Sequence, residues 1–240
     1  MTKNAIRLMT AAAGFALLSG PVLAEDADRT GTNRSAESTA ATTPQAAGVE
    51  KAKLSADLAA YARQSSNPVA MLLAAQLESE VGGSETPREK MSEPAGGAPA
   101  GDTAAKAERA RATADTLFAE ARTLARGDNE LLARIERTAQ RQSKGRVGGP
   151  ARHVDRVDAR TNDWYTIPFR GGEPARLVVV GDGDTDLDLY VYDENNNLIC
   201  SDTDYTDRLV CAWNPVWTGN FRVKISNLGR VYNQYVLLTN

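Results

Sequence analysis

Acidic side chains crowd into one short stretch in the last third of the 240-residue chain. Positions 182–207 contain nine carboxylates and neither Lys nor Arg. Carboxylates this close repel one another unless a cation neutralises them, and hard oxygen ligands at alternating positions suit Ca²⁺. The sequence therefore predicts a calcium site, with seven of these acids as candidate ligands: Asp182, Asp184, Asp186, Asp188, Asp202, Asp204 and Asp207.

The spacing of the first acids distinguishes two kinds of calcium loop. Asp182, Asp184 and Asp186 match the opening of an EF-hand loop, but the sixth position holds Leu187 where an EF-hand needs glycine. The stretch then continues as an apolar/polar alternation typical of a strand. We therefore expect a calcium loop at the entrance of a strand, and the alternative is an acidic, solvated loop that binds no ion.

Two cysteines flank the second group of acids. Cys200 and Cys211 enclose positions 201–210. In an oxidising compartment a disulfide between them would contribute roughly 2–3 kcal/mol and hold the acidic loop in place. The alternative is two independent, buried thiols.

Aromatic side chains in the same region are candidate ligand contacts. Tyr190, Tyr192, Tyr205 and Trp217 could stack on sugar rings or peptide groups if they are exposed. The alternative is that they only pack the strands.

Composition excludes several classes of function. The formal net charge is −3, which disfavours a nucleic-acid binder because such proteins cluster Lys and Arg. One His and two Cys leave few catalytic options, and the chain contains no HExxH, GxSxG or Walker motif. We expect a protein that is not an enzyme. The alternative is a hydrolase that uses two carboxylates of the acidic cluster.

The elements that would position these residues lie in the last 90 positions. Short runs with strand character and turn signals recur over 151–240, which predicts an antiparallel β-sandwich. In one run, Leu187, Leu189 and Val191 should point to the core, and the alternating Asp188, Tyr190 and Tyr192 should point away from it.

Two Ala-rich helical hairpins are predicted before the sandwich, at 49–81 and 102–142. Leu54, Leu58, Tyr61 and Ala62 mark the expected buried face of the first helix, and Asn67 and Asp128 are expected N-caps. Each hairpin weakly resembles one repeat of a tetratricopeptide-type array. The alternative is a helical spacer with no binding role. The overall prediction is thus a multidomain α+β chain.

Other segments carry targeting or linker signals. Residues 1–24 read as a secretory signal peptide, with cleavage expected before Glu25, and no segment is long and apolar enough to span a membrane. Composition predicts disorder at 25–48 and flexible linkers at 82–101 and 143–150.

The last third resembles the bacterial pre-peptidase C-terminal domain. The resemblance rests on Asp-Leu-Asp-Leu-Tyr-Val at 186–191, the two cysteines, Pro215, Gly219 and the strand at 221–225. It implies a small jelly-roll sandwich, often stabilised by calcium, that serves secreted proteins as an accessory module. Asp186 and Asp188 match the acidic pair of that family. Because helical hairpins stand where a peptidase would precede the module, the resemblance implies no protease activity.

The expected function is an exported, non-catalytic binding module with a calcium-stabilised sandwich. Its ligand would be a protein or a polysaccharide of the envelope or the extracellular space. The alternative is a structural protein of envelope assembly that contacts partners through the helical hairpins. The sequence does not fix the oligomeric state.

Overall fold

The computed structural model describes residues 29–37, 40–97, 112–142 and 148–240. Within these ranges the chain forms four α-helices and two five-stranded sheets. The predicted signal peptide at 1–24 lies outside the described residues. So do 25–28 and 38–39 of the predicted disordered segment, 98–101 and 143–147 of the linkers, and 102–111 of the second helical segment.

The first hairpin consists of α1 (Pro44–Ser65) and α2 (Pro68–Val81). The predicted cap of α2 is confirmed: Asn67 Oδ1 accepts hydrogen bonds from the backbone N–H groups of Val69 and Ala70, each at 3.0 Å. These bonds satisfy two of the amides that a helix N-terminus leaves without partners.

Helix α1 begins earlier than predicted, and only part of its predicted buried face is buried. Thr43 caps it by accepting a hydrogen bond from the Ala46 N–H at 3.1 Å. Ala62 is fully buried and Leu58 partly buried, but Leu54 is 52% and Tyr61 54% exposed. Small side chains let the helix approach its neighbours closely, so the buried face is built mainly from them: Ala46, Gly48, Val49, Ala52, Ser55, Ala59 and Ala62.

The second hairpin consists of α3 (Ala114–Leu124) and α4 (Asn129–Gln142). As predicted, Asp128 caps the last helix, its Oδ1 accepting a hydrogen bond from the Leu131 N–H at 2.9 Å. The two hairpins pack against each other into one helical layer. Its apolar cluster includes Met71, Leu72, Leu117, Phe118, Ala121 and Ile135.

Ten strands build the C-terminal sandwich: β1 (Ser84–Glu85), β2 (Met91–Pro94), β3 (Ala151–Val157), β4 (Thr161–Phe169), β5 (Ala175–Val180), β6 (Leu187–Tyr192), β7 (Leu198–Asp202), β8 (Arg208–Trp213), β9 (Gly219–Asn227) and β10 (Asn233–Thr239). Sheet I has the order β1-β3-β10-β5-β8, and sheet II has the order β2-β4-β9-β6-β7. The eight strands β3 to β10 have the pairing of a jelly roll, as predicted.

The core lies between the two sheets. The predicted alternation along β6 is confirmed, because Leu187, Leu189 and Val191 are fully buried while Asp188, Tyr190 and Tyr192 are partly exposed. Large side chains from both sheets fill the interior, among them Tyr165, Phe169, Leu177, Leu209, Trp213, Phe221 and Tyr235.

The segment 82–101 was predicted to be a flexible linker, but part of it forms strands of the sandwich. It supplies β1, which pairs with β3 of sheet I, and β2, which pairs with β4 of sheet II. Residues 84–94, here called the strap, therefore close the same edge of both sheets. Edge strands are held by main-chain hydrogen bonds and need no apolar pattern, so the hydrophobic periodicity gave no signal for them.

Lys90 of the strap links the two sheets. Its Nζ lies 2.9 Å from Asp155 Oδ1 in β3 and 3.0 Å from Asp163 Oδ2 in β4. The Asp163 carboxylate is almost fully buried and also accepts hydrogen bonds from Ser92 at 2.6 Å and Tyr235 at 3.1 Å. Burial opposes ionisation of Asp155, but the hydrogen bond and charge of Lys90, together with hydrogen bonds from the Arg156 N–H and the Tyr165 hydroxyl, lower the pKa of this carboxyl.

Part of the segment expected to be disordered, at 29–37, lies against the sandwich. Asn33 is fully buried, and its Oδ1 accepts hydrogen bonds from the N–H groups of Val216 at 2.8 Å and Trp217 at 3.1 Å. Its own backbone N–H donates to Asp193 Oδ2 at 2.9 Å. Polar contacts hold this segment in place. Disorder was predicted from its low content of apolar residues, and that criterion does not detect polar contacts.

The helical layer covers sheet I. Helix α1 contacts β5, β8 and β10. The apolar contact joins Val49, Ala52 and Val81 of the helices to Val178 and Leu238 of the sheet.

Candidate functional site

The predicted calcium ligands are spread over the loop before β6, β6 itself, the end of β7 and the loop between β7 and β8. Asp207 is the most buried of them, at 3% exposure. Its Oδ2 accepts hydrogen bonds from the Gly183 N–H and from Asn233 Nδ2, and its Oδ1 lies 3.5 Å from Arg208 Nη1. This carboxylate therefore fastens the loop before β6 to the start of β10.

Two further acids also bind backbone amides. Asp182 Oδ2 accepts a hydrogen bond from the Gln234 N–H at 3.0 Å, and Asp202 Oδ2 accepts one from the Val210 N–H at 2.8 Å. Asp184 lies in the same loop, with its N–H directed at Asp182 Oδ1 at 3.3 Å. These carboxylates act as hydrogen-bond acceptors that shape the loops.

The remaining acids lie close enough to influence one another. Burial raises the pKa of the Asp186 carboxyl, and the negative charges of Asp188, Asp204 and Asp207 raise it further. Asp204 Oδ1 accepts hydrogen bonds from the N–H and the hydroxyl of Thr206, at 3.0 and 2.6 Å.

The seven acids do not form the predicted calcium centre. All seven belong to the described residues, and across those residues no three Asp, Glu, His or Cys side chains are placed to hold one metal ion. Calcium needs six to eight oxygens at about 2.3–2.6 Å, whereas several oxygens here already accept hydrogen bonds. The donor arrangement does not fit a preformed calcium site, and calcium binding stays a prediction from the sequence.

Asp193, the acid in this stretch with the largest structural role, was not among the predicted ligands. It is fully buried in the turn after β6 and accepts hydrogen bonds from the N–H groups of Asn195 at 3.0 Å and Asn197 at 2.8 Å. It also binds the N-terminal segment through Asn33. The Asp-Glu-Asn-Asn-Asn sequence at 193–197 is a turn signal that could have indicated this role.

The predicted disulfide between Cys200 and Cys211 is present, with the two Cα atoms 5.8 Å apart. Cys200 lies in β7 of sheet II and Cys211 in β8 of sheet I. The bond therefore joins the two sheets at the edge opposite the strap.

The four predicted aromatic contacts fall in different environments. Trp217 is buried at 8% exposure, and its Nε1 donates to Glu194 Oε1 at 2.8 Å, so it anchors a loop and is not an exposed ligand contact. Tyr205 is 96% exposed in the loop between β7 and β8. Tyr190 and Tyr192 lie half-buried on the outer surface of sheet II.

Tyr190 and Tyr192 belong to a larger surface that we call the aromatic face: Trp164, Tyr190, Tyr192, Arg222 and Lys224. Strand register brings these residues together, since Trp164 pairs with Lys224, Lys224 with Tyr190, and Arg222 with Tyr192. The rings of Trp164 and Tyr192 lie 5.9 Å apart between centroids, tilted by 36°. Three aromatic rings thus share one solvent-facing surface.

Hydrogen bonds and cations fix the orientation of these rings. Trp164 Nε1 donates to Glu93 Oε1 of the strap at 2.7 Å. The Arg222 guanidinium carbon lies 4.6 Å from the Trp164 ring centroid, and Lys224 Nζ lies 3.9 Å from that of Tyr190. Among the described residues, no carboxylate forms a salt bridge with either cation, so both can still pair with groups of a ligand.

Sequence reasoning missed Trp164 as a candidate contact. It lies in β4 on the outer surface of the sandwich, between two buried neighbours. The alternation Tyr165, Ile167 and Phe169 was the available signal, because it places the even-numbered positions of the strand on the other side. Its proximity to Tyr192 depends on strand order and register, which the sequence does not give.

No helix in the described part of the chain is long and apolar enough to cross a membrane. No model of a known protein family matches the chain, and neither does any curated protein.

Among solved structures, the pre-peptidase C-terminal domain of collagenase from Bacillus anthracis is similar to this chain at 11% identity. The match covers 39% of this chain and 91% of that domain, with a TM-score of 0.32. A carbohydrate-binding module, CBM36 in complex with calcium and xylotriose, is similar at 8% identity; 36% of this chain and 86% of that one are covered, with a TM-score of 0.23. A de novo designed double-stranded β-helix is similar at 9% identity, covering 37% and 97% with a TM-score of 0.25. Likenesses this distant carry no conclusion about function.

Proposed function

We propose that the chain is an exported, non-catalytic binding protein that holds a polysaccharide on the aromatic face of its β-sandwich. The ligand lies across the outer surface of sheet II. Sugar rings stack on Trp164, Tyr190 and Tyr192, while Arg222 and Lys224 donate hydrogen bonds to hydroxyl or carboxylate groups of the polymer.

The cluster of three partly exposed aromatic rings carries this proposal. Large aromatic side chains usually bury their rings, and a solvent-facing group of them with donors beside it is typical of a binding surface. The strands that carry the rings are held on both sides by neighbouring strands of sheet II. The surface is therefore rigid before a ligand binds, and binding costs little conformational entropy of the protein.

Binding to a panel of polysaccharides tests the proposal. Mature full-length protein is run through native gels that contain neutral or uronic-acid polysaccharides, and retardation reports affinity. The matched variants are Tyr192→Ala in the aromatic face and Tyr205→Ala in the exposed loop. We expect Tyr192→Ala to weaken binding about five- to tenfold, the loss of one stacking contact, and Tyr205→Ala to leave it unchanged.

The same experiment has outcomes that contradict the proposal. Equal weakening by both variants, or no retardation by any polymer, would remove the aromatic face as the site. Retention on immobilised gelatin alone would assign the surface to a protein, the other ligand class expected from the sequence. Release of sugars or peptides that stops in Asp186→Asn or Asp188→Asn would show a hydrolase.

Export is tested separately. Mass spectrometry of protein recovered from outside the cytoplasm is expected to give a chain that begins at Glu25 and keeps the disulfide. Recovery of full-length chain from the cytoplasm only would contradict this part of the proposal.

A second candidate function is envelope assembly through the helical layer. Four large apolar side chains of the first hairpin are about half exposed: Leu54, Tyr61, Val69 and Leu73. If Leu73→Lys releases the protein from the envelope fraction while Tyr192→Ala does not, this candidate replaces the first.

A further inference from the structure

A cavity of about 570 Å³ lies between the helical layer and the outer face of sheet I. Its helical wall comes from α1 and α3, and its other wall comes from β5, β10 and the loop before β6. The volume is in the range of sites that hold small molecules, roughly 300–1,000 Å³. The cavity faces away from the aromatic face and is independent of it.

An apolar contact between the helical layer and sheet I borders the cavity. There, Val49 and Ala52 meet Val178 and Leu238. Further along α1, Ala56 and Ala60 line the space, and Val180 and Val236 line it from the sheet. A methyl group is too short to span this gap, so the two valines stay partly exposed inside the protein.

Ion pairs surround these apolar walls. Arg63 Nε lies 2.8 Å from Glu120 Oε2, and Arg152 Nη2 lies 2.7 Å from Glu78 Oε1. The third lining arginine, Arg208, lies 3.3 Å from Asp57 and 3.5 Å from Asp207. Every arginine of the lining is thus already paired with a carboxylate, and the lining acids Glu78, Glu120, Asp182 and Asp207 outnumber the arginines. Among the described residues of the lining, an anionic ligand would therefore find no unpaired cation.

We propose that this cavity binds a neutral, largely apolar small molecule. The apolar body of the ligand lies between the alanines of α1 and the valines of sheet I. A hydroxyl or carbonyl end reaches the polar rim near Arg208 and the loop before β6. Burial of the ligand completes the contact between the helical layer and the sheet, and therefore stabilises the folded protein by mass action.

The probe for this site is Nile Red, a neutral apolar dye whose fluorescence rises in an apolar environment. Mature full-length protein is titrated, and we expect saturable binding of one dye per chain. Ala56→Phe fills the cavity and should weaken binding at least about tenfold, or 1.4 kcal/mol. Ala47→Phe is the matched control, because Ala47 is an exposed α1 residue outside the cavity lining. Circular-dichroism melting confirms that both variants are folded.

Competition identifies the class of ligand. 1-Dodecanol should displace the dye, and dodecanoate should do so at least about tenfold less well, because its carboxylate meets only paired arginines. Unsaturable binding, or equal binding by Ala56→Phe and Ala47→Phe, would overturn the site. Equal displacement by the alcohol and the carboxylate would overturn its assignment to a neutral molecule. Should Ala56→Phe fail to fold, Val236→Phe fills the cavity from the sheet side and gives the same test.

Discussion

The outer faces of the two sheets differ in what they present. Sheet I turns aliphatic side chains outward, and the helical layer covers Val178 and Leu238. Sheet II turns Trp164, Tyr190 and Tyr192 outward, and in the described part of the chain no helix packs against its strands. The same sandwich therefore uses aliphatic residues where it must pack and aromatic residues with cations where it meets solvent.

This difference separates stability from binding. Substitutions on the outer face of sheet I should lower the free energy of unfolding, and those on the aromatic face should change affinity with little effect on folding. Substitutions can test this separation, beginning with Lys90 of the strap, which holds both sheets together.

The strap should matter most, because Lys90 compensates acids of both sheets. Lys90→Ala leaves the buried Asp163 carboxylate without its cation, which should cost about 3–5 kcal/mol. The melting midpoint should fall by roughly 2–4 °C for each kcal/mol lost. Lys51→Ala removes an exposed ion pair with Glu80 on the helices and serves as the control, with an expected loss below about 1 kcal/mol. Equal losses in the two variants would show that Lys90 does not join the sheets.

The contact between sheet I and the helices should rank second. Leu238→Ala removes a side chain that is 2% exposed and should cost about 2–3 kcal/mol in urea unfolding. Tyr192→Ala on the aromatic face should cost less than about 1 kcal/mol. If Tyr192→Ala proves as destabilising as Leu238→Ala, the division between a packing face and a binding face is wrong.

The acidic loops should show a smaller effect that depends on pH. The raised pKa of Asp186 means that its stabilising contribution is complete below its ordinary pKa near 4 and is lost as pH rises through the raised value. Asp186→Asn should therefore be more stable than the parent protein at pH 7, by less than about 1 kcal/mol because the group is exposed. The gain should vanish towards pH 4.

Urea unfolding at both pH values measures this gain, and Glu130→Gln at an exposed acid of α4 is the control. A variant that is less stable than the parent at pH 7 would mean that a cation normally sits beside Asp186.

Calcium should have the smallest effect. Since no group of carboxylates in the described part of the chain is assembled to hold the ion, the melting midpoint should agree within about 1 °C in millimolar Ca²⁺ and in EDTA. A rise of several degrees in Ca²⁺ that Asp186→Asn abolishes would restore the calcium site predicted from the sequence.

Local patterns were enough to predict much of the fold. The alternation of Leu187, Leu189 and Val191 placed β6 and its two faces, and Asn67 and Asp128 marked helix starts through hydrogen bonds to nearby amides. The antiparallel sandwich followed from strand spacing, and the disulfide followed from the cysteine pair. These features depend on residues that are neighbours in sequence or that close a short loop.

Long-range polar contacts could not be predicted in the same way. Asn33 meets Trp217 across 184 positions, and Lys90 meets Asp163 across 73. Neither segment contains an apolar period, so both were expected to be unstructured. The buried face of α1 was predicted incompletely for a related reason. Leu54 and Tyr61 face solvent, and the alanines of the helix face the protein. The acidic cluster alone does not decide whether an ion binds, because hydrogen bonding by backbone amides, as well as a cation, can accommodate crowded carboxylates.

The strap determines where the sandwich can be cut from the rest of the protein. A fragment that starts at Ala151 would lack β1 and β2. The strands β3 and β4 would then be edge strands with unpaired main-chain N–H and C=O groups, which can pair with any extended peptide. Such a fragment should self-associate through these edge strands. The smallest fragment that stays monomeric must therefore begin at or before Ser84.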